Sequence, residues 1–227
     1  MDCWICGEPA DSKEHKIKAS DVRHFFGAVS RQRPIYYQGG KIPNIKVGSA
    51  KSKRLKTDNV ICARCNDTRT APYDRAWEQL SAYVSGNWEQ MKRRGRFKLQ
   101  SVSPGETKRQ GTYVQLYFAK LFGCRIVDER IPIDITAFVR SVRDGVPHPE
   151  LCLTFTIATF SSRLTEYAAL SEVQAVKRNG VCQRAAWYYT LGEFSVKVTW
   201  VATGFPVNLG ESWTPQRSSE VIRFQCI

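Results

Sequence analysis

Long apolar runs are missing from this chain of 227 residues: no segment approaches the roughly 20 consecutive apolar residues of a membrane span, so no membrane partner is expected. No basic stretch followed by an apolar core opens the sequence, and the location expected on that ground is cytoplasmic. Histidine is scarce, with only His15, His24 and His148. A three-histidine zinc hydrolase would need all three to converge, yet His24 stands beside two phenylalanines and His148 lies in a turn between two prolines. Residues 112–227 contain no phosphate-binding glycine loop, nucleophile elbow, carboxylate pair or internal repeat, so their role is not legible from motifs.

Acidic residues are also in deficit, with 21 Asp and Glu against 34 Lys and Arg, a formal net charge of +13 that favours a polyanionic partner. Residues 1–100 hold 20 of the basic and 10 of the acidic side chains, so most of the excess lies in the first part of the chain. Between residues 41 and 56, Lys41, Lys46, Lys51, Lys53, Arg54 and Lys56 occur without a single acid, a run that suits a phosphate backbone or a solvated loop. Hydrophobic content of 42% and charged content of 24% are those of a folded globular protein with a real core.

The eight cysteines fall into two kinds. Cys3–Cys6 and Cys62–Cys65 are CxxC pairs, which in a reducing compartment read as a four-thiolate structural zinc site rather than as disulfides. Cys124, Cys152, Cys182 and Cys226 stand alone in apolar surroundings and read as buried thiols.

The expected elements begin with a strand around residues 13–18 and a short helix over 20–27 capped by Ser20, followed by an irregular connection over 31–56. Tyr73, Trp77, Leu80, Val84 and Trp88 recur at helical spacing and predict a helix from Pro72 to about Met91, with Gly95 as its stop. Strands are expected at 114–118, 151–157, 185–189, 194–200 and 221–224, with a helix over 133–142. Residues 101–111 are polar and rich in Ser, Pro and Gly, a boundary between a domain over 1–100 and a β-rich domain over 112–227.

Between the two cysteine pairs stand Glu14 and His15, and Asn66 directly follows Cys65. This pattern resembles the HNH, or ββα-metal, endonucleases, with Asn as last ligand as in resolvases of the endonuclease VII type. The resemblance covers about residues 1–90 and implies an α+β fold: a zinc-stabilised treble-clef/ββα-metal domain followed by the β-rich α+β domain. It further implies hydrolysis of DNA phosphodiesters, double-stranded or branched, with His15 as general base and Glu14 and Asn66 holding Mg²⁺ or Mn²⁺. Asn59 is chosen as the asparagine that fixes the loop bearing the base, although a nine-residue offset from Asn66 would land on Thr57. Asp67 and Asp74 are open as extra ligands. Lys16, Lys18 and Arg69, together with Lys51, Lys53, Arg54 and Lys56, are expected to contact nucleic acid. HNH chemistry of this kind serves phage, restriction, recombination and immunity systems alike. The second half is expected to provide substrate choice, partner docking or homodimerisation. The alternative is a noncatalytic zinc-containing nucleic-acid-binding or interaction protein on the same scaffold.

Overall fold

The architecture follows from where the apolar faces of the chain can meet. A computed structural model describes residues 1–39, 42–158, 167–216 and 220–227, with side chains for all of these except 42–44. Lys41 of the basic run therefore lies outside the described residues. Strand β1 (Ser12–His15) leads into helix α1 (Ala19–Phe26), which Gly27 ends at a φ of 72°. The residue at the helix start is Lys18 rather than the expected Ser20, whose hydroxyl instead donates to Glu78 at 3.2 Å. The connection predicted to be irregular contains a hairpin, β2 (Ile35–Gly39) and β3 (Ile42–Val47), then a 3₁₀ turn before β4 (Lys56–Ile61).

A π-helical turn at Arg64–Arg69 opens into α2 (Ala71–Gly86), whose residues Tyr73, Trp77, Leu80 and Val84 are buried as their spacing predicted. The expected single helix is broken at Asn87 and resumes as α3 (Trp88–Arg94), which stops at left-handed Gly95. Then come β5 (Arg96–Lys98), the short α4 (Leu99–Val102), α5 (Thr107–Asp128) and α6 (Thr136–Asp144). Strands β6 (Leu151–Ile157), β7 (Tyr167–Leu170), β8 (Gln174–Arg178), β9 (Val181–Leu191), β10 (Phe194–Val201) and β11 (Val221–Cys226) complete the chain.

The strand expected at 114–118 is instead the middle of α5. Every residue from Val114 to Ile126 is buried, so this helix is covered on all sides and shows no amphipathic period. Its aromatic and branched residues mimic a strand because the helix sits at the centre of the molecule.

Strands β1 and β4 form a two-stranded ribbon. The larger sheet runs β3-β2-β7-β9-β10-β6-β11-β5, with β8 pairing β9. The first hundred residues thus contribute three strands to a sheet completed by the last eighty: β2 pairs β7 in parallel, Tyr36 opposite Tyr167, and β5 pairs β11. Trp77 of α2 stacks on Tyr117 of α5 with centroids 5.3 Å apart and meets Tyr189 of β9 edge-on. The halves expected on either side of 101–111 therefore share one hydrophobic core. Cys124 and Cys182 are buried within it and Cys152 is buried on β6, whereas Cys226 at the end of β11 is exposed, contrary to expectation. No helix among the described residues is long and apolar enough to cross a membrane.

Candidate functional site

The two CxxC segments meet. The sulfurs of Cys3, Cys6, Cys62 and Cys65 all lie within 4.8 Å of one another, and those of Cys6 and Cys62 are 3.6 Å apart. Four thiolates around a tetrahedral zinc, at about 2.3 Å each, have sulfurs roughly 3.8 Å apart, so this donor set fits a structural metal such as zinc. Each pair is shaped by its own backbone. Gly7 turns at a φ of 78° and donates to the Cys3 carbonyl at 2.9 Å, while Asn66 N–H donates to the Cys62 carbonyl at 2.9 Å. Arg69, expected at phosphate, instead has its Nη1 3.5 Å from the Cys65 sulfur.

The ribbon between the knuckles carries Glu14 and His15. Its register shifts between Ser12 and Lys13 and again between Lys13 and His15. Such irregularity frees neighbouring residues from strict alternation: Glu14 is buried, His15 is half-buried, and both line one cleft. Thr57 on β4 fixes the dyad, its hydroxyl accepting from the Glu14 N–H at 3.0 Å and donating to the Asp58 carbonyl at 2.9 Å. Asn59, the residue chosen for that role, is exposed on β4 opposite Lys13 and is not among the residues lining the cleft. The position nine residues before Asn66 is the one that holds the dyad.

Asn66 sits where the π-helical turn leaves the second knuckle. Its amide nitrogen donates to the Ser12 hydroxyl at 3.1 Å and to the Lys13 carbonyl at 3.4 Å, so it braces the ribbon, and its oxygen faces Lys120. Glu14, Asn66 and Asp74 converge on one cation, and that cation belongs to the chain. Lys120 Nζ of α5 lies 2.7 Å from Glu14 Oε2, 2.9 Å from both Asp74 oxygens and 3.4 Å from Asn66 Oδ1. Lys18 approaches the same Asp74 at 3.0 Å and Glu78 at 3.2 Å. Burial works against a charge on Lys120, but the carboxylates of Glu14 and Asp74 outweigh it and hold the lysine protonated. Burial likewise pushes the Glu14 carboxyl up, opposed mainly by Lys120. With three acceptor groups around three N–H bonds, the ion-paired state is the one this geometry satisfies.

A divalent ion does not fit between these oxygens as they stand. Mg²⁺ needs oxygens at about 2.0 to 2.1 Å, and here the shared centre is filled by an ammonium at hydrogen-bonding distances. Sequence reasoning missed Lys120, although one signal was present: a single charge inside the apolar run Tyr117–Phe122.

Above this cluster opens a cleft of 350 Å³ lined by His15, Lys13, Lys18, Lys56, Asn66 and Arg75, among others. Asp67 also lines it, beside Asp74. Desolvation, then the charges of Lys56, Lys18 and Lys120, push the His15 imidazole down to about 4, so it is neutral at physiological pH. A larger cleft of 870 Å³ shares Lys56 with the first and is lined by Lys16, Lys53, Arg54, Arg125 and Arg130. Arg125, almost fully buried, grips Glu129 and the Ser171 carbonyl, stands 4.9 Å over the Trp187 ring, and has one Nη1 with no partner among the described residues. Of the predicted basic residues, Lys18 and Lys56 reach the His15 cleft and Lys16, Lys53 and Arg54 the larger one, while exposed Lys51 lines neither. No protein-family model matches the chain, and no curated protein or solved structure is similar to it.

Proposed function

We propose that the chain is an HNH-type endonuclease that hydrolyses DNA phosphodiesters in the His15 cleft, with zinc as the structural ion of the four-cysteine cluster. The observation that carries this reading is the convergence of Glu14, His15 and Asn66, separated by half a hundred residues in sequence, into one cleft between the cysteine knuckles. His15 is neutral near pH 7 and is the cleft's proton acceptor: it takes the proton of a water whose oxygen attacks phosphorus as the bond to the sugar oxygen breaks. The departing oxygen takes up a proton from the imidazolium so formed or from a lysine of the cleft. Asn66 and Thr57 hold the strand that presents it. Lys13, Lys18, Lys56 and Arg75 give the cleft a cationic rim for the phosphate, and an entering phosphate would lift the basicity of His15 by offsetting those charges. The larger basic cleft, which shares Lys56 with the first, takes the flanking backbone. Lys120 stands between Glu14 and Asn66, where a catalytic metal would otherwise bind.

The same lysine favours the second reading, a nucleic-acid-binding protein that keeps the scaffold without cleavage. Purified, zinc-loaded protein incubated with supercoiled, linear and branched DNA separates the two. Nicking by the wild type that disappears in His15→Ala, with melting temperature and zinc content unchanged, supports hydrolysis. A salt-sensitive gel shift with uncut DNA, with or without added Mg²⁺ or Mn²⁺, supports binding alone.

A further inference from the structure

We infer that Lys120 is a built-in cation that occupies the divalent-ion position of the ββα site and closes the Glu14–Asn66–Asp74 cage to Mg²⁺ and Mn²⁺. The inference rests on reading the cleft as a ββα-type site, but its test needs no cleavage. Three observations carry it. The first is saturation: an ammonium has three N–H bonds, and three acceptor groups receive them at 2.7, 2.9 and 3.4 Å.

The second is confinement. Lys120 has no exposed surface, and its neighbours Tyr117, Phe118, Leu121 and Phe122 are equally buried. The helix bearing it is pinned one turn on, where the Trp4 indole lies against Gly123 and donates to the Cys124 sulfur at 3.3 Å. The lysine cannot swing out to admit an ion without moving the central helix of the molecule.

The third is charge. Lys120 already faces the carboxylates of Glu14 and Asp74, and a second ammonium, Lys18, stands between Asp74 and Glu78. A divalent ion added to this set would meet repulsion from both lysines at close range and low dielectric. Once the Lys120 charge is removed, two carboxylates and an amide oxygen remain, which is the hard donor set such an ion prefers. The lysine is therefore what decides between the two states of the cage.

Titration of the full-length zinc-loaded protein with Mn²⁺, read by loss of the free-ion electron paramagnetic resonance signal, tests this directly. The wild type is expected to take up no Mn²⁺ that Glu14→Gln abolishes. Lys120→Met is expected to gain one Mn²⁺ bound at least about tenfold more tightly than anything on the wild type, and Glu14→Gln in that background is expected to remove it. Lys120→Gln, which keeps a hydrogen-bond donor, serves the same comparison if the Met variant does not fold. One equivalent of Mn²⁺ on the wild type that Glu14→Gln removes would overturn the inference, because the lysine would then be yielding to the ion. Absence of binding in both lysine variants would overturn it too, since the cage would be no cation site at all. Wild type that excludes Mn²⁺ and leaves DNA intact removes the hydrolase and spares this inference; DNA cutting that requires Mn²⁺ bound at Glu14 does the reverse.

Discussion

The indole of Trp4 lies so close to Gly123 that a methyl group on that glycine would stand 2.5 Å from two ring carbons. Trp4 is the second residue of the first cysteine knuckle, and Gly123 is one turn from Lys120 on α5. The knuckle and the internal cation are thus parts of one rigid contact. Gly123→Ala is expected to destabilise the protein by about 1 to 3 kcal/mol through overpacking, read as a fall in the urea midpoint. Gly105→Ala, strained only by its own backbone φ of 78° and meeting nothing nearby, is the control for a purely conformational effect.

Metal removal should act on the whole chain. Zinc in a self-standing domain over 1–100 would hold only that domain together, but Trp4 and Ile5 belong to the core shared with the sheet. A strong chelator is expected to lower the temperature of a single cooperative transition, with zinc release and loss of near-ultraviolet circular dichroism coinciding. Structural zinc is worth on the order of 10 kcal/mol in small zinc-folded peptides, and a smaller share is expected here because a large core persists. Two separated transitions would contradict the shared core.

Thr57 and Asn59 offer a local contrast. Thr57→Val removes a buried hydroxyl from the Glu14 N–H and is expected to cost about 1 to 3 kcal/mol and to impair whatever His15 does. Asn59→Ala, on the exposed side of the same strand, is expected to stay within about 0.5 kcal/mol of wild type and to leave the cleft unaffected. Denaturant melts and the DNA assay on both variants check the pair.

Acid sensitivity should begin above the carboxylate range. His148 is fully buried against Phe138, accepts the Glu150 N–H at Nδ1, and is pushed down to about 4 by desolvation, as His15 is also lowered to about 4. Both titrate near 6.5 when unfolded. Between those values the unfolded state binds protons that the folded state does not, so stability falls as pH drops from about 6.5 towards 4 and changes little above it. For His148 the full shift corresponds to roughly 3 kcal/mol. Urea denaturation at pH 7.5, 6.0 and 5.0 is expected to show this slope, reduced in His148→Gln.

Lys56 belongs to both clefts. Lys56→Ala is expected to weaken DNA binding in a sequence-independent way and to lower the salt slope of affinity by about 1. Lys51→Ala, outside both clefts, is expected to leave that slope unchanged.

What was legible in the sequence was whatever depends on short spacing. The cysteine pairs, the α2 stripe at Tyr73, Trp77, Leu80 and Val84, and strand β6 at 151–157 carry their signal within a few residues and were placed correctly. The failures share a cause. Val114–Phe118 looks like a strand because α5 is wrapped on every side, which erases the helical period. The boundary at 101–111 looks like a linker because pairing of β2 with β7 and of β5 with β11 is set by contacts far apart in the chain. In the site, Glu14 and Asn66 were recognisable from motif spacing. Lys120 was not, since its partners Asp74, Asn66 and Glu14 are far from it in the chain, on other elements.

The parallel pairing of Tyr36 with Tyr167 also orders events during synthesis. A nascent chain has both cysteine knuckles outside the ribosome while the strand that will flank β2 is still untranslated. Until it arrives, the hairpin inserted between the knuckles keeps an open edge, a template for association with other chains. A product terminated before residue 167 would carry the complete four-cysteine cluster, the His15 dyad and Lys120 yet expose that edge permanently, so aggregation, rather than a free-standing front half, is its expected fate.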